Sequence, residues 1–252
     1  MKSIARSLVQ MATAGALVAV GIPLLQATAT AAPVHNRVPV ETVLGLSSST
    51  PVQKSTGFAG YSTEAAKLKS IVATFEVPSI KRCGKTADSG FGPLVIVGSS
   101  TLFVGAGAEA ACEDGTTTYQ IAVNYNGSES KLLTVKPKDK ITVRITMTSK
   151  NTIVKINDLT SKRKLNKREP ASHPTFASLG DDSLVNEDTG QQVPIPPFTN
   201  HRFFNCEVNG KALSKATPLI DQELVNGKTV LIKAGPLTSK GTAFTMYFKK
   251  AS

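Results

Sequence analysis

In 141-ITVRITM-147, Ile141, Val143, Ile145 and Met147 fall on one side of an extended chain, and Thr142, Arg144 and Thr146 on the other. Such two-residue alternation marks a half-buried β-strand, because successive side chains of a strand point to opposite faces. The same character recurs at 70–77, 93–98, 117–125, 130–135, 140–149, 152–158, 202–209, 229–235 and 242–250, each run bounded by turn residues. Many short β-rich runs with almost no helical periodicity predict an all-β sandwich or barrel. Asn126-Gly127 reads as a tight hairpin turn, although Asn126-Gly127-Ser128 is formally a glycosylation sequon. The long irregular piece is about 161–201, which holds the basic run 162-KRKLNKR-168, acidic clusters and 193-VPIPPF-198. The basic run is expected to form a solvated hairpin tip or a strand edge.

The first residues belong to a different class. Lys2 and Arg6 precede an apolar run from about Leu8 to Leu25, which ends in 26-QATATAAP-33. A basic start, a short apolar centre and small residues at a cut site describe a secretory signal peptide, cleaved near Ala31. Residues 1–31 are therefore expected to be removed, 32–55 to form a flexible lead-in, and 56–252 to fold. No later run is long enough to cross a bilayer, so the mature chain is expected outside the cell without stable membrane insertion. In that oxidising compartment, two of Cys83, Cys112 and Cys206 are expected to pair. Their spacing, with that of His35, His173 and His201, matches no metal site, and no cofactor is expected. The formal charge of +11 favours anionic surfaces such as wall polymers. Nucleic acid is not expected, because the basic run lacks aromatic side chains on which bases stack.

Nucleophilic catalysis has little support: the chain has no Gly-x-Ser-x-Gly elbow, and a secreted thiol is more often paired. Carboxylates are better candidates. Glu109, Glu113, Asp114, Asp181, Asp182, Glu187 and Asp188 flank turn signals, and two acids that converge can do general acid–base work. The bland alternative makes 113-EDG-115 a β-turn and 180-GDD-182 a surface loop.

Five stretches occur in an order that resembles the secreted glutamic peptidases, the eqolisin family. They are 57-GFAGY-61, 71-IVATFEVPSI-80, 101-TLFVGAGAEAACEDGTTTYQIAVNY-125, 137-PKDKITVRI-145 and 194-PIPPFTNHRFFNCEVNGKAL-213. The resemblance implies a lectin-like (concanavalin A-like) sandwich of two antiparallel sheets. It also implies a chemistry in which a Glu acts as general base on water and a Gln amide steadies the oxyanion. Alignment through Gly107, Glu109, Cys112 and Gly115 places Gly105 at the Gln, and 181-DDSLVNE-187 places Asp182 at the Glu. Losing a buried amide aimed at developing charge removes several kcal/mol of barrier lowering. The strand that carries Trp, Tyr and Glu in the family reads Ala122, Val123 and Asn124, and the chain has no tryptophan.

The expectation is a divergent member with degenerate catalytic residues that binds a peptide, glycan or anionic wall polymer. Glu109, Tyr119, Asn124 and Tyr125 are the expected binding residues, in a cleft of aliphatic and small side chains. One rival is an acid endopeptidase with Asp182 as base and Gln120, Gln191 or Gln192 as substitute amide. The other is a glycan-active enzyme whose carboxylates are Glu109 and Asp182, with Tyr61, Tyr119 and Tyr125 as the available stacking rings. Cys83 and Cys112, on nearby strand ends of the expected topology, are the expected disulfide.

Overall fold

The computed structural model describes residues 4–6, 42–43, 52–65, 67–84, 88–171, 173–186, 191–238 and 240–250. Apart from 4–6, 42–43 and 52–55, the expected signal peptide and lead-in lie outside the described residues. The strands are β1 (Ile4–Arg6), β2 (Thr42–Val43), β3 (Val52–Ser55), β4 (Phe58–Glu64), β5 (Ser70–Glu76) and β6 (Ser89–Gly98). They continue as β7 (Phe103–Glu113), β8 (Thr116–Tyr125), β9 (Ser128–Thr134), β10 (Lys140–Met147), β11 (Asn151–Asp158) and β12 (Lys164–Pro170). The last six are β13 (Phe176–Asn186), β14 (His201–Val208), β15 (Lys211–Ala212), β16 (Leu219–Asn226), β17 (Thr229–Ala234) and β18 (Phe244–Phe248).

Antiparallel pairing runs β12–β11–β10–β5–β14–β18–β17 through one half. It runs β16–β4–β13–β6–β7–β8–β9 through the other. The β16–β17 hairpin joins the halves into one continuous ribbon. Phe75, Ile141, Val143, Ile145 and Phe203 of the first half share one apolar cluster with Val95, Val97, Ala106, Ala108 and Leu179 of the second. The ribbon is thus folded over a common core, which makes the chain an all-β sandwich. Its two far edges, β12 and β9, meet through side chains. Lys167 Nζ donates to Ser130 Oγ at 2.6 Å, and Arg163 Nη2 donates to the Thr134 carbonyl at 2.7 Å.

The stretch 161–201 is less irregular than expected, since it contains β12 and β13. The 180-GDD-182 segment is no surface loop but lies inside β13, paired to β4 on one side and β6 on the other. Asp, Gly and Ser have low strand propensity, but two flanking ladders override it. β4, β7 and β16 also join the expected strands. The basic run does form a hairpin tip and an edge strand, because among the described residues β12 pairs only with β11.

Both expected turns are present. Asn126 and Gly127 have φ of 48° and 88°, and Asp114 and Gly115 have 50° and 78°, the left-handed pairs of two-residue hairpins. Gly60 faces Gly180 across the β4–β13 ladder, where a Cβ on either would overlap a carbonyl oxygen of the opposite strand. Cys83 and Cys112 form a disulfide with a Cα–Cα distance of 5.5 Å. Cys206 is a buried free thiol whose pKa is pushed up by burial and by Glu207, which leaves it unreactive. No helix among the described residues is long and apolar enough to cross a membrane.

Candidate functional site

Strands β13, β6 and β7 are central, and their side chains alternate between the core and the outer face of their half. On β7, Val104, Ala106, Ala108 and Ala110 enter the core, so Gly105, Gly107, Glu109 and Ala111 face outward. The outer face is also largely buried. Val193 packs on Ala111 and Leu184, its N–H donates to the Leu184 carbonyl, and Gly90 N–H donates to the Pro194 carbonyl.

Register decides which outward residues meet. Asp182 pairs with Phe58 on β4 and with Gly92 on β6. Pairings on either side of it, Phe91 with Ala110 and Leu94 with Gly107, place Gly92 against Glu109. Glu109 in turn pairs with Gln120. One rung therefore reads Asp182, Gly92, Glu109, Gln120. The two acids are separated by two strand spacings, about 9.6 Å between backbones, with no side chain between them. Asp182 is 2% exposed and Glu109 is 1% exposed. Gln120 Nε2 donates to Glu109 Oε2 at 2.7 Å. Buried carboxyl groups on one face are the residue type that general acid–base chemistry uses.

The next rung holds three glycines beside Leu94 and Ala122, in the order Gly60, Gly180, Leu94, Gly107, Ala122. The rung after it holds Ser62, Ser178, Ile96, Gly105 and Asn124. Here Ser62 Oγ donates to Gln222 Oε1 at 2.8 Å and lies 2.9 Å from Ser178 Oγ. Gly105 thus sits two rungs from the acids. A Cβ at Gly105 would lie 3.2 Å from Leu94 Cδ1 and 3.6 Å from Ile96 Cβ, so aliphatic side chains already fill its surroundings. Asn124 stands beside it, buried, and accepts from Gly127 N–H at 2.9 Å.

The remaining residues singled out from sequence lie elsewhere. Tyr119 and Tyr125 oppose Ala110 and Val104 on the core-facing side and pack against the core. The Tyr119 hydroxyl accepts from Ile80 N–H at 3.0 Å. Tyr61 also faces the core and donates to the Gly235 carbonyl at 2.9 Å. Burial and the neighbouring Asp221 raise its pKa to about 12. Gln191 and Gln192 are exposed.

Asp181 points the opposite way from Asp182. Its Oδ1 lies 2.9 Å from His201 Nε2, both side chains are buried, and the contact ties β13 of one half to β14 of the other. Sequence reasoning gave His201 no role, because a lone histidine before an apolar run carries no signal. Among the described residues, no group of three His, Cys, Asp or Glu side chains is arranged to hold a metal ion.

A sequence model of the Peptidase A4 family matches residues 56–241. Scytalido-glutamic peptidase with a transition state analog inhibitor superposes with a TM-score of 0.63 at 17% identity, over 77% of this chain and 98% of that one. SCP-B, an eqolisin-family peptidase in complex with the tripeptide Ala-Ile-His, gives 0.60 at 18% identity over 77% and 98%. Aspergilloglutamic peptidase from Aspergillus niger gives 0.54 at 18% identity over 64% and 99%. At such identities these likenesses speak to fold. A search of curated protein sequences found no match.

Proposed function

Because the chain belongs to the Peptidase A4 family, we propose that it keeps the family's sandwich as a secreted binding protein and holds an extended peptide without cleaving it. The observation that carries this reading is Gly105. The position aligned with the family's amide offers only a backbone N–H, and Leu94 and Ile96 crowd the space a longer side chain would need. Of the substitute amides, Gln120 is three strands from Asp182 and donates to Glu109, while Gln191 and Gln192 are exposed. Gly60, Gly180 and Gly107, which share their buried rung with Leu94 and Ala122, are strand-interior glycines of the kind that mark close approach of another backbone. A glycan or wall polymer fits this face less well, since the tyrosines available for stacking face the core. The disulfide and the signal-like N-terminus support secretion.

The test is incubation of the purified mature chain with a denatured protein across acidic to neutral pH, read by mass spectrometry, beside calorimetric titration with extended peptides. Peptide binding without cleavage is expected.

A second reading is favoured by the shared rung of Asp182 and Glu109: an acid endopeptidase with Asp182 as general base. Robust cleavage by the natural chain, abolished by Asp182→Ala, would establish it and overturn the binding reading.

A further inference from the structure

The opposite side of the sandwich carries most of the positive charge. Residues 136–170 hold eleven Lys and Arg against three Asp and Glu, a net +8 of the chain's +11. The three acids are already engaged. Asp139 Oδ2 accepts from Lys136 N–H, Asp158 is buried beneath Arg163 at 3.0 Å, and Glu169 lies 3.3 Å from Lys167.

Register gathers five of these cations on one face. Arg144 pairs with Lys155 and Lys155 with Asn166; Asn157 pairs with Lys164, and Ile153 with Arg168. Because Ile141, Val143, Ile145, Val154 and Ile156 enter the core, the alternate residues of β10–β12 face outward. Lys140, Arg144, Lys155, Lys164 and Arg168 are all exposed there, among Thr142, Thr146, Asn157 and Asn166. The outward side of these three strands has no carboxylate. The nearest acids in the same layer are Glu76, 3.9 Å from Lys140, and Glu207 on β14. Arg144 and Lys155 are like charges directly opposite each other, an arrangement that costs stability until an anion lies across it.

We propose that this face binds a linear phosphodiester polymer without aromatic bases, laid across β10–β12. From Lys164 to Arg168 the cations span about 13 Å of strand, a reach that suits a chain of charges better than a single small anion. The outward side of β10–β12 carries no aromatic ring, which disfavours stacking on bases. Three of the five cations are lysines, whose point-charge ammonium binds phosphate without needing a planar, bidentate partner. Leu159, at the hairpin tip, is the one exposed large apolar side chain of this segment, too little area to insert into lipid. The inference stands apart from the peptide reading, which concerns the other half.

The test is fluorescence anisotropy of a labelled abasic oligodeoxyribose phosphate, titrated with the mature chain over a salt series. Binding is expected to weaken with salt on a log–log slope of about −3, the value for four phosphates contacted on a single strand. Combining Arg144→Gln, Lys155→Gln, Lys164→Gln and Arg168→Gln should weaken it at least about tenfold and flatten that slope. A control that changes Lys211, Lys215, Lys228 and Lys240 to Gln has the same net charge and should bind like the natural chain. Equal losses in both variants would overturn the proposal. So would tighter binding to polygalacturonate or to phosphatidylglycerol vesicles than to the abasic probe.

Discussion

Changing Asp221 to Asn should stabilise the protein near neutral pH and leave it almost unchanged in acid. Asp221 lies on β16 beside Tyr61. Burial, then repulsion from Glu223, raises its pKa from 3.8 to about 7, against an opposing pull from Lys233. In the unfolded chain the carboxyl ionises near 3.8, so between roughly pH 4 and 7 the folded chain holds a proton that the unfolded chain has lost. Stability therefore falls as pH rises across that window, and the penalty is full above pH 7 and absent below the unfolded value. A shift of about three units corresponds to about 4 kcal/mol for a fully buried group. Asp221 keeps part of its surface in water, and screening reduces the expected penalty to about 1–2 kcal/mol. Urea unfolding of both proteins at several pH values measures it. The Asp221→Asn curve should lie above the natural one at pH 7 and converge with it near pH 4. A variant no more stable at pH 7, or a gap independent of pH, would show that the carboxylate is not desolvated as described.

Gly180→Ala should cost more than about 3 kcal/mol, because the new methyl overlaps the Ala59 carbonyl across a ladder that cannot move aside; loss of soluble folded protein, or a large fall in melting temperature, would show it. Removing the Cys83–Cys112 bridge, which closes a 29-residue separation, should cost about 3.5 kcal/mol in thermal melts, and reduction of the natural chain should cost as much. Asp181→Ala should cost about 3 kcal/mol, because it leaves His201 buried without its acceptor. A double-mutant cycle with His201→Phe should recover a good part of that loss.

β10 was legible because large apolar residues alternate with polar ones, so one strand carries its own pattern. β7 and β13 were not. The core-facing positions of β7 are mainly alanines and those of β13 include Ala177, Asp181 and Ser183, while glycine, serine and acids stand at outward positions that the fold also buries. With both faces dry, the contrast on which alternation depends disappears. Asp182 and Glu109 could be singled out by residue type and by the family pattern. That they share a rung depends on Gly92, in the strand that lies between them, and on the register of two ladders. The Asp181–His201 contact crosses between layers, and no spacing along the chain encodes which inward residue meets which.

The ribbon is unbroken at the β16–β17 hairpin, whereas among the described residues its far edges share no ladder and meet through Lys167 and Arg163, with Leu132, Leu133 and Leu165 packed on the core. The sandwich is therefore hinged on one flank and latched on the other, and its easiest excursion is to part at the latch. Amide hydrogens of β9 and β12 should exchange with solvent ahead of those in β6, β7 and β13, which have a ladder on each side. If a polyanion drew Lys167 and Arg163 away from Ser130 and Thr134, that flank would open further. Exchange at β9 would then quicken while the other half kept its protection.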